Sequence, residues 1–269
     1  MTIIDTGSGH QLDVAGLTDV GRKRSLNEDT FKIHEPSGLL IVADGMGGHQ
    51  KGEVASAAAV RIISHHVSRN VAEVRAGASN DGAAADVTEI EPAGADVKLM
   101  DDALAKANDA INALNQDRGF PTGTGMGTTV VGLLPTIEPG RMVVFNVGDS
   151  RAYRFRDAKL SQMTRDHTLY QEWLDQGGQG DNPPRNVITR AIGPKAKVET
   201  DVGLQMLVPG DLVVVCSDGL TGMVADPEIG ETLDRLGQAP PDDICRALVD
   251  FANERGGKDN VTVIVGRYS

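Results

Sequence analysis

VVFNVGDSRAYRF, residues 143–155, sets two strand-type runs on either side of Gly148-Asp149-Ser150. So short a connection of turn formers predicts a tight turn between antiparallel strands. Working outward, further runs rich in Val, Ile and Leu lie at 39–43, 128–134, 142–147, 151–155, 211–216 and 261–266. Each is bounded by Gly, Pro or Asp, as strands are. Weaker strand patterns lie at 13–18, 30–34 and 198–206. A helical period runs through 53–69, 97–118 and 242–255, with shorter patterns at 168–176 and 227–236. The 242–255 helix is opened by Pro240-Pro241-Asp242-Asp243 and closed by Gly256-Gly257. The strands come in pairs and the helices in separate blocks, which is not the βαβα alternation of a parallel sheet. The fold class is therefore α+β, with antiparallel sheets and helices packed outside them. Residues 71–96, rich in Ala and acids without a clear period, read as a variable surface loop. GGQGDNPPR at 177–185 reads as a turn-rich flap.

The chain has 269 residues and a formal net charge of −12, from 38 acidic and 26 basic side chains. That length suits one large domain with a sizeable core. No basic face is visible for nucleic acid, and aromatics are only 3% of residues, too few for base stacking. No polybasic segment, signal peptide or apolar run of about 18 residues points to a membrane. Two cysteines, Cys216 and Cys245, make no disulfide framework. A cytoplasmic protein is the simplest reading.

Acids cluster at strand ends. LLIVA is followed by Asp44-Gly45, VVFNVG by Asp149, and LVVVCS by Asp218-Gly219, while Asp259-Asn260 precedes VTVIV. Strand C-termini and antiparallel neighbours' N-termini share one rim, so these carboxylates converge. Glu28-Asp29, before the 30–34 strand, joins the same rim. Asp-Gly after one strand is an ordinary turn signal. Four such acids on apolar runs instead suggest hard divalent cations, since like charges so placed repel without them. Gly21-Arg22-Lys23-Arg24 sits beside the acids. An arginine there suits a phosphate ligand, although a solvated basic loop is an equal reading of the local sequence.

GRKRSLNED (21–29), VADGMGGH (42–49), GTT (127–129), VGDSRAYR (147–154), TRDHT (164–168), ITRAIG (188–193), CSDGL (216–220) and KDNVT (258–262), in this order, resemble the bacterial type 2C metal-dependent protein phosphatases. The resemblance spans nearly the whole chain. It implies a four-layer αββα sandwich, one catalytic domain over 1–269, and a flap over 164–193. It implies hydrolysis of phosphoserine and phosphothreonine in proteins, with two Mn²⁺ or Mg²⁺ ions and a third, weaker one. Asp44 is implied as the ligand bridging both ions, and the Gly45 carbonyl as a ligand of the second. Asp218 and Asp259 are implied at the first, Glu28 and Asp29 at the second, partly through water, and Asp149 with Asp218 at the third. Arg24 is implied to hold the substrate phosphate. A water bridging two ions about 3.5–4 Å apart ionises near neutral pH and would attack phosphorus in line.

Animal members carry histidine where this chain has Met46, so a side-chain proton donor is missing there. His49 reads as an exposed loop residue and His167 as structural. The implied partners are phosphoprotein substrates, and a Ser/Thr kinase whose work the enzyme reverses; a monomer is expected. Other phosphate chemistries fail on spacing. Cys-x5-Arg is absent, since the sixth residue after Cys216 is Gly222 and after Cys245 is Phe251. No GxxxxGK[ST] loop occurs. The alternative of another class is an inactive phosphatase-fold module that binds phosphoproteins, against which the retention of Asp44, Asp218, Asp259 and Arg24 argues.

Overall fold

A computed structural model describes residues 2–7, 9–47, 51–80 and 92–269. Among them the chain forms, in order, β1 (Thr2–Gly7), β2 (His10–Asp19), β3 (Asp29–His34), β4 (Leu39–Met46), α1 (Gly52–Asn80) and α2 (Pro92–Asp117). Next come β5 (Gly127–Thr128), β6 (Val130–Pro135), β7 (Arg141–Val147), β8 (Arg151–Arg156), β9 (Lys159–Gln162) and α3 (Leu169–Asp175). The rest is β10 (Asp201–Met206), β11 (Leu212–Cys216), α4 (Asp218–Thr221), α5 (Asp226–Leu236), α6 (Pro241–Glu254) and β12 (Val261–Tyr268).

One sheet runs β1-β2-β12-β11-β8-β9, and the other β10-β7-β6-β4-β3 with β5 paired to β4; neighbouring strands are antiparallel. The apolar runs are continuous because both faces of the central strands are buried. In β4, Leu39, Ile41 and Ala43 face the core shared with α1 and α2, while Leu40 and Val42 face the second sheet. In β11, Leu212, Val214 and Cys216 face α5 and α6, while Val213 and Val215 face inward. This alternation with period two builds three apolar layers between four structural ones. The αββα sandwich is as expected.

Three expectations change. The 143–155 segment is no hairpin: β7 lies in one sheet and β8 in the other, so Gly148-Asp149-Ser150 carries the chain between sheets. Val144 and Ala152 both enter the core between the sheets, so the two strands meet across that core and not edge to edge. Gly148 turns there with φ 115°, and a Cβ on it would come within 2.6 Å of Thr129.

The 71–96 loop is mostly helical where described. α1 continues to Asn80 and α2 begins at Pro92, with 81–91 outside the described residues. Val67, Val71 and Val74 extend the buried stripe at helical spacing, and the Arg75 guanidinium donates to the carbonyls of Ser37 and Pro135. The 128–134 strand is split at Thr129, whose amide leaves the ladder to donate to the Asp44 carbonyl at 2.8 Å.

Candidate metal centre

Asp218 and Asp259 face each other because β11 ends where β12 begins: Cys216 pairs with Val263 across that antiparallel ladder. Gly219 lets the two segments touch, since a Cβ there would lie 1.8 Å from the Asn260 carbonyl oxygen. From the second sheet, Asp29 and Asp44 are register partners on β3 and β4. Asp149 comes from the crossover after β7. A cavity of about 340 Å³ at this end of the sandwich is lined by Arg24, Glu28, Asp44, Gly45, Asp149, Asp218 and Asp259, together with Met46 and Thr129. Seven of the eight expected site residues therefore meet on one surface.

The eighth, Asp29, lies beneath it. Its Oδ2 accepts from the Ser217 hydroxyl at 2.8 Å and the Thr262 hydroxyl at 2.6 Å. Burial raises the Asp29 pKa to about 6, partly offset by those hydroxyls and reinforced by Asp218 and Asp259. Asp149 is raised to about 7, first by burial and then by Asp218 and Asp166. Burial also lifts Asp44 well above the carboxylate range, with Asp29, Asp218 and Asp149 adding to it. Asp218 is raised by burial as well, although a hydrogen bond from Asp44 opposes the shift. Like charges forced together out of water keep their protons.

Among the described residues, no three acids, histidines or cysteines close on one point as a finished cation cage. Asp259 is turned to Arg24, Asp29 to its two hydroxyls, and Asp44 and Asp218 to each other. Yet the donor set fits hard divalent cations. It is all oxygen, and Asp29 Oδ1 and Asp218 Oδ1 are buried without any partner. A buried carboxylate oxygen left unpaired is costly unless a cation takes it.

The surroundings hold the acids by hydrogen bonds that the sequence did not signal. The Asp44 amide donates to Thr129 Oγ1 at 3.1 Å, and the Thr128 hydroxyl donates to the Asp44 carbonyl at 2.9 Å. Asn260 Oδ1 accepts from the Glu28 amide at 2.8 Å, while its Nδ2 donates to the carbonyls of Val20 and Leu26. One side chain thus fixes the whole basic loop against the β12 entry. Glu28 Oε1 accepts from the Gly52 amide at 3.1 Å, at the start of α1.

His167 is structural, as read from sequence. It is buried, its Nδ1 accepts from the Gly148 amide at 3.1 Å, and its Nε2 meets Asp201 at 3.0 Å. Burial lowers its pKa despite Asp201. His49 lies outside the described residues. Cys216 is fully buried, which pushes its thiol up to about 12 and removes it as a nucleophile.

The chain is similar to known proteins along nearly its whole length. The family described as Protein phosphatase 2C matches residues 21–252. The serine/threonine phosphatase stp of Listeria monocytogenes is 33% identical over 256 residues, covering 92% of this chain and 92% of that one. The protein phosphatase PhpP of Streptococcus pneumoniae is 33% identical over 260 residues, covering 94% and 96%. Among solved structures, the Mycobacterium tuberculosis serine/threonine phosphatase PstP/Ppp superposes with a TM-score of 0.76 at 31% identity, over 95% of this chain and 98% of that one. The catalytic domain of PstP in complex with two manganese ions gives 0.75 at 31%, over 96% and 99%.

Proposed function

The chain belongs to the protein phosphatase 2C family, and from that membership we propose that the acid-lined cavity is its catalytic centre, worked by residues 1–269 as one domain. The activity itself is that of a metal-dependent protein serine/threonine phosphatase using Mn²⁺ or Mg²⁺. The observation that carries the site assignment is the pair of partnerless buried oxygens, Asp218 Oδ1 in a wall of acids with one arginine at its rim and Asp29 Oδ1 beneath that wall.

In this reading Asp44, Asp218, Asp259 and the Gly45 carbonyl hold two divalent ions. Glu28 and Asp29 support the second, and Asp149 with Asp218 offers a third, weaker position. When bound, such ions supply a strong nucleophile near neutral pH and draw charge from phosphoryl oxygens. Arg24 receives the phosphate, its planar fork matching two oxygens. Phosphoryl transfer goes directly to water. Among the described residues lining the cavity there is no Cys, Ser or His, and the Thr129 hydroxyl is held by the Asp44 amide and Ser150. The side chain of Met46 carries no proton to give the leaving oxygen.

The substrates are phosphoproteins, and we read the physiological role as reversal of a bacterial Ser/Thr kinase. We read the chain as a monomer in the cytoplasm; its two cysteines are free and buried, as a reducing compartment leaves them. No helix among the described residues is long and apolar enough to cross a membrane. The test is hydrolysis of p-nitrophenyl phosphate and a phosphothreonine peptide with and without Mn²⁺. Turnover that requires the metal and disappears in Asp218→Asn supports the assignment. Turnover indifferent to both overturns it.

A further inference from the structure

A groove of about 620 Å³ opens beside the acid-lined cavity and shares Met46 and Ile188 with it. The two adjoin at those residues, so an extended chain leaving the acids, at about 3.3 Å per residue, has this groove open to it. Its charged lining is Arg190, Lys195, Lys197, Glu172 and Glu199. Arg190 is already engaged, 3.2 Å from Glu199 and 2.9 Å from Asp201. That leaves Lys195 and Lys197, both exposed and neither with an ion-pair partner among the described residues, facing a single unengaged acid, Glu172 on α3. On a protein of net charge −12, two free ammonium groups beside a phosphate-accepting site are a local reversal of sign.

The backbone that carries them is held firmly. Asn108 on α2, 2% exposed, donates to the carbonyls of Lys195 and Ala196 at 3.1 and 3.2 Å and accepts from the Gly193 amide at 2.9 Å. One and two turns on, Asn112 and Asn115 both donate to the Gly193 carbonyl. Gly193 has φ 109°, and a Cβ on it would strike Ile111 at 2.4 Å. This asparagine ladder pins the 193–196 segment to the core, so the lysines project from a fixed wall, and little backbone ordering remains to be done on binding.

We propose that this groove binds the stretch of the phosphoprotein flanking its phosphorylated residue, and that Lys195 and Lys197 select acidic side chains there. The proposal rests on the phosphatase reading of the neighbouring cavity. Asn108 is a positioning residue, acting through the backbone of Lys195 and Ala196.

The test uses the Mn²⁺-loaded full chain and two phosphothreonine peptides that differ only in carrying three Glu or three Lys on each side of the phosphothreonine. Wild type should favour the Glu peptide in kcat/KM by roughly three- to tenfold, the size two exposed ion pairs allow, and the preference should shrink as salt rises. K195E/K197E should abolish or invert that ratio. K195Q/K197Q should bring it near one. Asn108→Ala should raise KM for the Glu peptide while leaving its kcat. Each enzyme is its own control, since the ratio compares two substrates on one preparation. A wild-type ratio of one or below overturns the proposal, as does a ratio unchanged in both lysine variants. Failure of wild type to hydrolyse p-nitrophenyl phosphate with Mn²⁺ would remove the phosphatase reading, and this proposal with it.

Discussion

Arg24 Nη2 donates to Asp259 Oδ2 at 2.8 Å, joining the loop before β3 to the turn that enters β12 across 235 positions of sequence. The group assigned to phosphate thus rests on a group assigned to metal. Both side chains are well exposed, at 48% and 37%, so the pair contributes under about 1 kcal/mol to folding and exchanges readily for other partners. Arg24→Ala should therefore lower kcat/KM for phosphopeptides by about 10- to 100-fold, mainly through KM, because a charge-assisted contact to the substrate is lost. Mn²⁺ affinity, measured by titration calorimetry, should hold or rise, since the substitution frees Asp259 from a competing cation. If affinity and turnover fell together, Arg24 would be ordering the acids and not holding the phosphate.

Asp218→Asn separates stability from function. The substitution removes a carboxylate whose Oδ1 is buried without a partner. Mn²⁺-dependent turnover should fall on the order of 100-fold or more, because an amide is a far poorer ligand for a hard cation. Without metal the variant should melt no lower than wild type, because one of several mutually repelling buried acids is gone. Scanning calorimetry in EDTA reads that second arm, and a large drop in Tm there would mean that Asp218 holds the fold by contacts other than those seen.

Asn260→Ala tests how the site is held. Its side chain serves the Glu28 amide and the Val20 and Leu26 carbonyls, all from the loop that carries Arg24. Leaving those backbone groups unpaired should cost about 2–4 kcal/mol. Urea unfolding measures this loss. KM for phosphopeptides should rise with it, because Arg24 loses its fixed approach. Wild-type KM in a destabilised Asn260→Ala protein would show that the loop orders itself without this anchor.

The acids were legible in the sequence and their supports were not, for a physical reason. Asp44, Asp149, Asp218 and Asp259 each abut a continuous apolar run, and a run buried on both faces fixes where its end must lie. Ser217 and Thr262 act on Asp29 across 188 and 233 residues, and Asn260 on Glu28, Leu26 and Val20 across 232 to 240, and nothing local marks such a hydroxyl or amide as engaged. The asparagines of α2 read as polar positions on an amphipathic helix, although they bind backbone across the 78 to 88 residues that separate them from the 193–196 segment. The Gly148-Asp149-Ser150 turn reads as a hairpin in the sequence because a crossover between stacked sheets uses the same turn formers. Only the pairing of β8 with β11 tells them apart. Past residue 70, the helical stripe of α1 thins to Val71 and Val74 among Ala and charge, too sparse to register as a period.

pH should distinguish the buried acids in the metal-free protein. Asp149 sits at about 7 in the fold against 3.8 when unfolded, and Asp29 at about 6. The folded state therefore holds protons that the unfolded state has released, so these groups favour folding fully below about pH 4. That contribution is lost as pH rises through 6 and 7. His34, His66 and His167, whose pKa values are lowered by burial, work the other way around pH 6, so the wild-type curve alone mixes both effects. Asp149→Asn isolates one acid. In EDTA at constant ionic strength, the variant and wild type should melt together at or below about pH 4, where folded and unfolded wild type both keep the proton, and the gap should open steadily above it. By pH 8 the variant should melt several degrees higher, because wild type must then bury a charge at 149 or keep its proton against the solvent. Adding Mn²⁺ at pH 8 should narrow the gap, since a cation stabilises the ionised acid that only wild type has. A gap that stays constant from pH 5 to 8 would mean that Asp149 is ionised throughout and that burial does not govern its charge.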